Sequence, residues 1–140
     1  MYGVLEYEGE YLYGKKYNGK GYDKDGNIIY ELINGNGKIK VYNINGGLIF
    51  EGEYLNGKRN GKGKEYYSNG TVKFECEYLN DKRNGKGKEY GYKSLLSFDG
   101  EYLNGLRIGK GKEYQEGNLI FEGEYFDGKR NGMGKEYEDG

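Results

Sequence analysis

The chain contains no histidine, no tryptophan and no proline, and its single cysteine is Cys76. Catalysis needs a small, distinctive constellation of groups with tuned pKa values. Here there is no imidazole and one thiol, and the carboxylates recur at equivalent places, each matched by a lysine. No position is singled out for chemistry, so the expected protein is not an enzyme and uses no cofactor or metal. One cysteine excludes an internal disulfide framework and fits a reducing compartment. No run approaches the ~20 apolar residues of a membrane helix, and the glutamate-containing start "MYGVLEYEGEY" does not read as a signal peptide. Charge of one sign is missing too: 22 Lys and Arg against 23 Asp and Glu give a net charge of -1, with the signs interleaved. Such a balance offers no global field for nucleic acid or anionic membrane. A soluble, cytoplasmic protein is expected. The absence of Pro, Trp and His beside abundant Lys, Asn, Tyr and Ile reads as coding-sequence bias toward AT.

What the chain does have is glycine and aromatic rings. Mean hydropathy is -1.06 and 34% of residues are hydrophobic, figures that ordinarily accompany disorder, but 18 Tyr and 5 Phe are far too many rings for a disordered chain. The rings are ordered by a repeat. "FEGEYLNGKRNGKGKEY" from Phe50 returns as "FECEYLNDKRNGKGKEY" from Phe74, "FDGEYLNGLRIGKGKEY" from Phe98 and "FEGEYFDGKRNGMGKEY" from Phe121. An earlier copy starts at Tyr7 with one extra residue, Tyr17, and a degenerate one at Tyr30 lacks the "EGEYL" block. Successive copies are 23, 20, 24, 24 and 23 residues apart, a period that signals a solenoid or array. The whole chain, 1–140, is read as a single array.

Asn-Gly is the strongest short-range signal for a two-residue type I′ hairpin turn. Placing such turns at Asn56-Gly57 and Asn69-Gly70 predicts a register. Around the first, Glu51 faces Lys62, Phe50 faces Gly63 and Gly52 faces Gly61; around the second, Lys62 faces Glu77, Gly63 faces Cys76, Lys64 faces Glu75 and Gly61 faces Tyr78. Lys62 then stands between two glutamates, a favourable arrangement. The alternation separates a face of rings and glycines (Phe50, Gly52, Tyr54, Gly61, Gly63, Phe74, Tyr78) from a charged face (Glu51, Glu53, Lys62, Lys64, Glu75, Glu77). The match of "NGT" at Asn69 to a glycosylation acceptor reads more simply as a turn followed by a strand residue. The segment "EYGYKSLLSFDG" lacks Asn-Gly, which predicts a longer or irregular turn, and "EGN" at 116–118 predicts a three-residue loop.

In an antiparallel meander with two strands per copy, equivalent rings stand about 9.6 Å apart. Glycine strands lie between them, so a flat ring can rest on bare backbone. Each Phe or Tyr buries roughly 150–250 Å², enough for a few rings per copy to replace a two-layer core. The expected fold class is all-β: an elongated, single-layer, twisted antiparallel meander of about six hairpins and a dozen strands, with no helix.

The phrases "YEGEYLYGKKYNGKG", "FEGEYLNGKRNGKG" and "FEGEYFDGKRNGMG" resemble the MORN repeat, whose pattern is an aromatic, any residue, Gly, any residue, Trp or Tyr, two residues, Gly, then Gly-x-Gly. The resemblance covers nearly the whole chain. Its second aromatic is Tyr11, Tyr54, Tyr78, Tyr102 and Tyr125, never the Trp common in the family; Cys76 replaces a motif glycine. The resemblance implies the same meander. It also implies a scaffold or adaptor that binds partner proteins along a groove, with membrane or phosphoinositide association in some members. A third implication is a regulatory fragment of a larger protein, because such arrays can accompany catalytic domains.

Two candidate surfaces follow. The first is the ring face: Tyr11, Phe50, Tyr54, Phe74, Tyr78, Phe98, Tyr102, Phe121 and Tyr125. A single layer is expected to leave these rings partly exposed as a groove for a peptide, a helix or a second copy of the chain; the plainer reading makes them the core. The second is a basic rail of Lys15, Lys16, Lys58, Arg59, Lys82, Arg83, Arg107, Lys129 and Arg130 just after equivalent turns. It suits anionic lipid at roughly 1 kcal/mol per cation, or simply protects the sheet edge. "GKGK" lacks the spacing of a phosphate-binding loop, and glycine there makes room for rings. Paired glutamates such as Glu51 and Glu53 are exposed and poorly suited to acid–base work at neutral pH. Cys76 reads as a small packing residue. Stacking of nucleic acid on the rings is disfavoured by the near-zero net charge.

Overall fold

The structure is a computed structural model that describes residues 3–138. Among them none is helical, and the chain folds into twelve strands joined in sequence order: β1 Tyr7–Leu12, β2 Lys15–Tyr22, β3 Ile28–Leu32, β4 Gly37–Tyr42, β5 Leu48–Leu55, β6 Lys58–Tyr66, β7 Val72–Leu79, β8 Lys82–Tyr90, β9 Leu96–Leu103, β10 Leu106–Gln115, β11 Asn118–Phe126 and β12 Lys129–Glu136. Every pairing is antiparallel, as the repeat predicts. The expected continuous sheet is instead divided into β1–β3 and a nine-stranded meander β4–β12. The division falls in the degenerate second copy. Lacking the "EGEYL" block, β3 is only five residues long, and it meets β4 through one bridge, Ile33 to Asn36. Aliphatic residues replace rings there, and Tyr30, Leu32 and Ile39 form a small core of their own.

One end of the hairpins follows the predicted turn chemistry. Asn56-Gly57, Asn104-Gly105 and Asp127-Gly128 have positive φ at both central positions, and Asn80-Asp81 does so without a glycine. Successive turns are joined by backbone hydrogen bonds: the amides of Gly57, Asp81, Gly105 and Gly128 donate to the carbonyls of Gly35, Arg59, Arg83 and Arg107 at 2.8–3.1 Å. The opposite end differs from expectation. Asn69-Gly70 belongs to a wider turn in which only Gly70 has positive φ, closed by Tyr67 N–H to Thr71 O at 2.8 Å. The Asn69 side chain accepts from the Thr71 amide and hydroxyl, consistent with a turn role. The segment expected to be irregular, Gly91–Leu95, makes the same turn with Ser94 at φ 63 in place of glycine. The three-residue loop expected at 116–118 is a two-residue turn, because Gln115 pairs with Asn118.

The register around Asn69-Gly70 is as predicted: Gly61, Lys62, Gly63 and Lys64 face Tyr78, Glu77, Cys76 and Glu75. Around Asn56-Gly57 it is not. Leu55 faces Lys58 and Tyr54 faces Arg59, but beyond them Gly52 faces Gly63, Glu51 faces Lys64 and Phe50 faces Glu65. The cause is a bulge: Gly61 adopts φ +101, and the Glu53 carboxylate accepts the Lys62 amide at 2.7 Å. The same device recurs at Glu77 with Lys86 and at Glu124 with Met133. The lysine between two acids is therefore Lys64, between Glu51 and Glu75, rather than Lys62. The glycine facing Gly52 is Gly63 rather than Gly61.

This corrected register writes an alternating row of charge across the nine-stranded sheet: Lys40, Glu51, Lys64, Glu75, Lys88, Asp99, Lys112, Glu122 and Lys135. Like charges never face each other along it, which penalises slippage.

Candidate binding surfaces

On the ring face Phe50, Phe98 and Phe121 lie on bare backbone. A Cβ placed on Gly63 would come within 2.8 Å of the Phe50 ring and 3.1 Å of Tyr78; on Gly111 it would meet Phe98 at 2.8 Å and Tyr125 at 3.1 Å. Rings of neighbouring copies then meet edge to face, Phe50 with Tyr78 at 5.4 Å and Phe98 with Tyr125 at 5.3 Å. The guanidiniums of Arg59, Arg107 and Arg130 sit 4.0 Å above Phe50, Phe98 and Phe121, and that of Arg83 sits 3.5 Å above Phe74. These are cation–π distances.

The arginines and tyrosines converge on a glutamate of the preceding copy. Glu65 accepts from Tyr78 Oη at 2.6 Å and Arg83 Nε at 2.9 Å. Glu89 accepts from Tyr102 and from Arg107, the latter at 2.9 Å. Glu113 accepts from Tyr125 and from Arg130, the latter at 2.6 Å. These three seams are thus each clasped by one carboxylate, two donors and a ring beneath the guanidinium. Burial pushes the Glu65 and Glu113 carboxyls up, but the donated hydrogen bonds outweigh it and hold both below their ordinary 4.5. Burial, reinforced by the carboxylate beside each hydroxyl, drives Tyr78, Tyr102 and Tyr125 far above their ordinary 10.0.

The direction of linkage follows. The depressed glutamates contribute stability that is present above pH 4.5 and lost as pH falls through their lower folded values. The raised tyrosines contribute stability that is complete below pH 10.0 and lost as pH rises beyond it, because only the unfolded chain ionises readily there. Thermal melts across pH should show a plateau with losses below 4.5 and above 10.0; an unchanged midpoint at either flank would contradict the clasp.

The structure places the residues of both expected surfaces. Phe50, Phe74, Phe98, Phe121, Tyr78, Tyr102 and Tyr125 are buried, none more than 9% exposed, so they are the core of the sheet and not an open groove. The arginine lids and the neighbouring rings cover what the sheet itself leaves bare. Tyr54 is partly buried against this core, and only Tyr11 stands exposed, at 61%. The basic rail is likewise dispersed. Arg59 is turned onto a ring, and Arg83, Arg107 and Arg130 are ion-paired inward. Lys15 pairs with Asp81 at 3.3 Å, and Lys16 donates to Tyr30 Oη at 3.1 Å. Lys58, Lys82 and Lys129 make no ion pair among the described residues.

Sequence reasoning passed over two features. The clasping glutamates were legible as the recurring Glu of "GKGKEY", two places after Gly63 and hence on the ring face. The second is the charged face, whose lysines and glutamates wall a long trough floored by the backbone of Gly52, Gly63, Gly87, Gly100, Gly111 and Gly123. Along one rim of it runs the residue that follows each motif tyrosine: Leu55, Leu79, Leu103 and Phe126, all exposed. Across the turn from them stand Lys58, Lys82, Leu106 and Lys129.

Among the described residues none group into a metal-binding cluster, and no helix is long and apolar enough to cross a membrane. The model of the family described as MORN repeat matches residues 50–72, 75–94, 98–118 and 121–140. Comparison with curated proteins gave no match. MORN repeats are in general modules that bind proteins and membranes. With four matched copies over more than half its length, each folded as a ring-on-glycine hairpin, the chain belongs to the MORN repeat family.

Proposed function

We propose that the chain is a non-enzymatic scaffold that docks an amphipathic helix of another protein along the rim of the charged face. The observation that carries this reading is the row of Leu55, Leu79, Leu103 and Phe126, exposed once per repeat and interleaved with Lys58, Lys82 and Lys129. Large apolar side chains held in line on a rigid sheet are characteristic of interaction surfaces. Their spacing is about 9.6 Å, close to the roughly 10.5 Å that seven residues of α-helix span. A helix crossing the strands therefore meets one leucine per two turns. The lysines favour acidic residues beside its apolar stripe. The buried rings serve to keep the row straight and stiff.

The test is a binding assay against the captured partner with Leu79→Ser and Leu103→Ser together. Each fully buried leucine side chain contributes about 1.5–3 kcal/mol, so affinity should fall more than tenfold while far-ultraviolet dichroism is unchanged. Undiminished binding by this variant removes the rim as the site. The same interleaving of leucine and lysine favours a second reading, peripheral attachment to an acidic membrane. Salt-sensitive flotation with anionic vesicles, lost in Lys58→Glu with Lys82→Glu, decides for the membrane; flotation absent in all cases decides for the protein partner.

A further inference from the structure

We infer that the two open strand edges, of β1 and β12, are a matched pair, and that a second copy of this chain docks head to tail through them. Three seams inside the molecule define what a β12-type strand accepts. At each, a return strand (β6, β8 or β10) takes the outgoing strand of the next copy on its free edge. Its lysine faces a carboxylate, as Lys64 faces Glu75, Lys88 faces Asp99 and Lys112 faces Glu122. Its glutamate takes the next tyrosine and arginine. Its second glycine underlies the next tyrosine ring, as Gly63 underlies Tyr78.

β12 carries the same residues, "KRNGMGKE", with nothing on that edge among the described residues. Its charges and its bulge at Gly132 do not blunt the edge, since β6 and β8 carry the same features and are paired. Glu136, the counterpart of Glu65, Glu89 and Glu113, is 78% exposed and holds only Arg130 of its own copy, at 3.2 Å. Gly134 is covered by Phe121 from one side only. Phe121, Arg130, Asn131, Gly132, Gly134 and Glu136 form an open notch.

β1 supplies what the notch lacks. Its sequence "YEGEYL" is an outgoing strand of the same type, its outer edge is unpaired among the described residues, and Tyr11 is the one motif tyrosine standing exposed. Transferring the internal register puts Glu8 of the second copy opposite Lys135, Gly9 opposite Gly134 and Tyr11 opposite Gly132. Tyr11 then donates to Glu136, and Lys16, the residue opposite Tyr11 in its own hairpin, takes the place that Arg83 has beside Glu65. The row of alternating charge continues across the seam from Lys135 to Glu8. Because the contact is heterologous, it builds open linear oligomers and not closed dimers.

Sedimentation velocity of the intact chain over a wide concentration range tests this, together with carbodiimide coupling read by mass spectrometry. Expected are concentration-dependent species larger than a dimer and a Glu8–Lys135 cross-link between copies. Glu8→Lys or Lys135→Glu alone turns a favourable cross-strand pair into a repulsive one and should weaken association about tenfold. The double variant, which swaps the charges, should restore it; this restoration separates a seam contact from damage to the fold. A chain that stays monomeric at millimolar concentration, association that ignores both single variants, or a double variant no better than either single one, each overturns the inference. None of these changes touches the leucine rim, so the result is independent of the proposed function.

Discussion

Phe98→Ala is expected to be among the most damaging single substitutions, lowering stability by about 3–5 kcal/mol. Its side chain is 0% exposed. The ring rests on Gly100 and Gly111, meets Tyr102 at 5.8 Å and Tyr125 at 5.3 Å, and lies under the Arg107 guanidinium at 4.0 Å. Removing it leaves a void between three strands that glycines have no side chains to fill. The equivalent change at Phe74 should cost distinctly less. Over Gly63, Gly111 and Gly134 the covering atoms belong to a phenylalanine, whereas over Gly87 they belong to Cys76 and Tyr102. The Cys76 side chain has taken the ring's place, and Phe74 makes no ring–ring contact among the described residues. Urea midpoints followed by tyrosine fluorescence measure both variants; equal losses would refute the view that Cys76 has moved Phe74 out of the ring lattice. The same burial pushes the Cys76 thiol up to about 12, which leaves it an inert packing group.

Gly63→Ala should be the second large effect, about 2–3 kcal/mol, typical of overpacking a filled core. The new methyl would stand 2.8 Å from Phe50 Cζ and 3.1 Å from Tyr78. Neither ring can yield freely: Phe50 is 1% exposed beneath Arg59, and Tyr78 is tied to Glu65 at 2.6 Å. Gly91→Ala is the control: its Cβ would meet only the Leu95 carbonyl oxygen, at an ordinary 3.9 Å, and it has no positive φ. It should stay within about 0.5 kcal/mol of the parent. Similar losses at both glycines would mean that glycine is used here for backbone freedom and not for ring contact.

The hairpin array, its antiparallel order and the ring-and-glycine face were legible because they are local. Asn-Gly at Asn56 sets one turn, the alternation Phe50-Gly52-Tyr54 sets the face, and the interval between copies sets the strand count. The register at the Asn56 turn was not legible, since it depends on a carboxylate, Glu53, leaving the ladder to cap the Lys62 amide. No pairing rule written for straight strands contains that exchange. The same limit hid the break after β3, where the missing block of the second copy removes a ladder instead of merely shortening it.

Sequence by itself determined that this chain is an all-β array of rings laid on glycine, because strand period and turn chemistry act between neighbours along the chain. Tertiary structure alone decided which of those groups stay available. It buried Phe74, Phe98 and Phe121 under arginines and spent those arginines on Glu65, Glu89 and Glu113 of adjacent copies. It left the leucine rim and the two strand edges uncovered. Burial is a property of what lies across the seam, 12–18 residues away in sequence across the three clasps, and a side chain's neighbours at that distance are fixed only when the strands have paired.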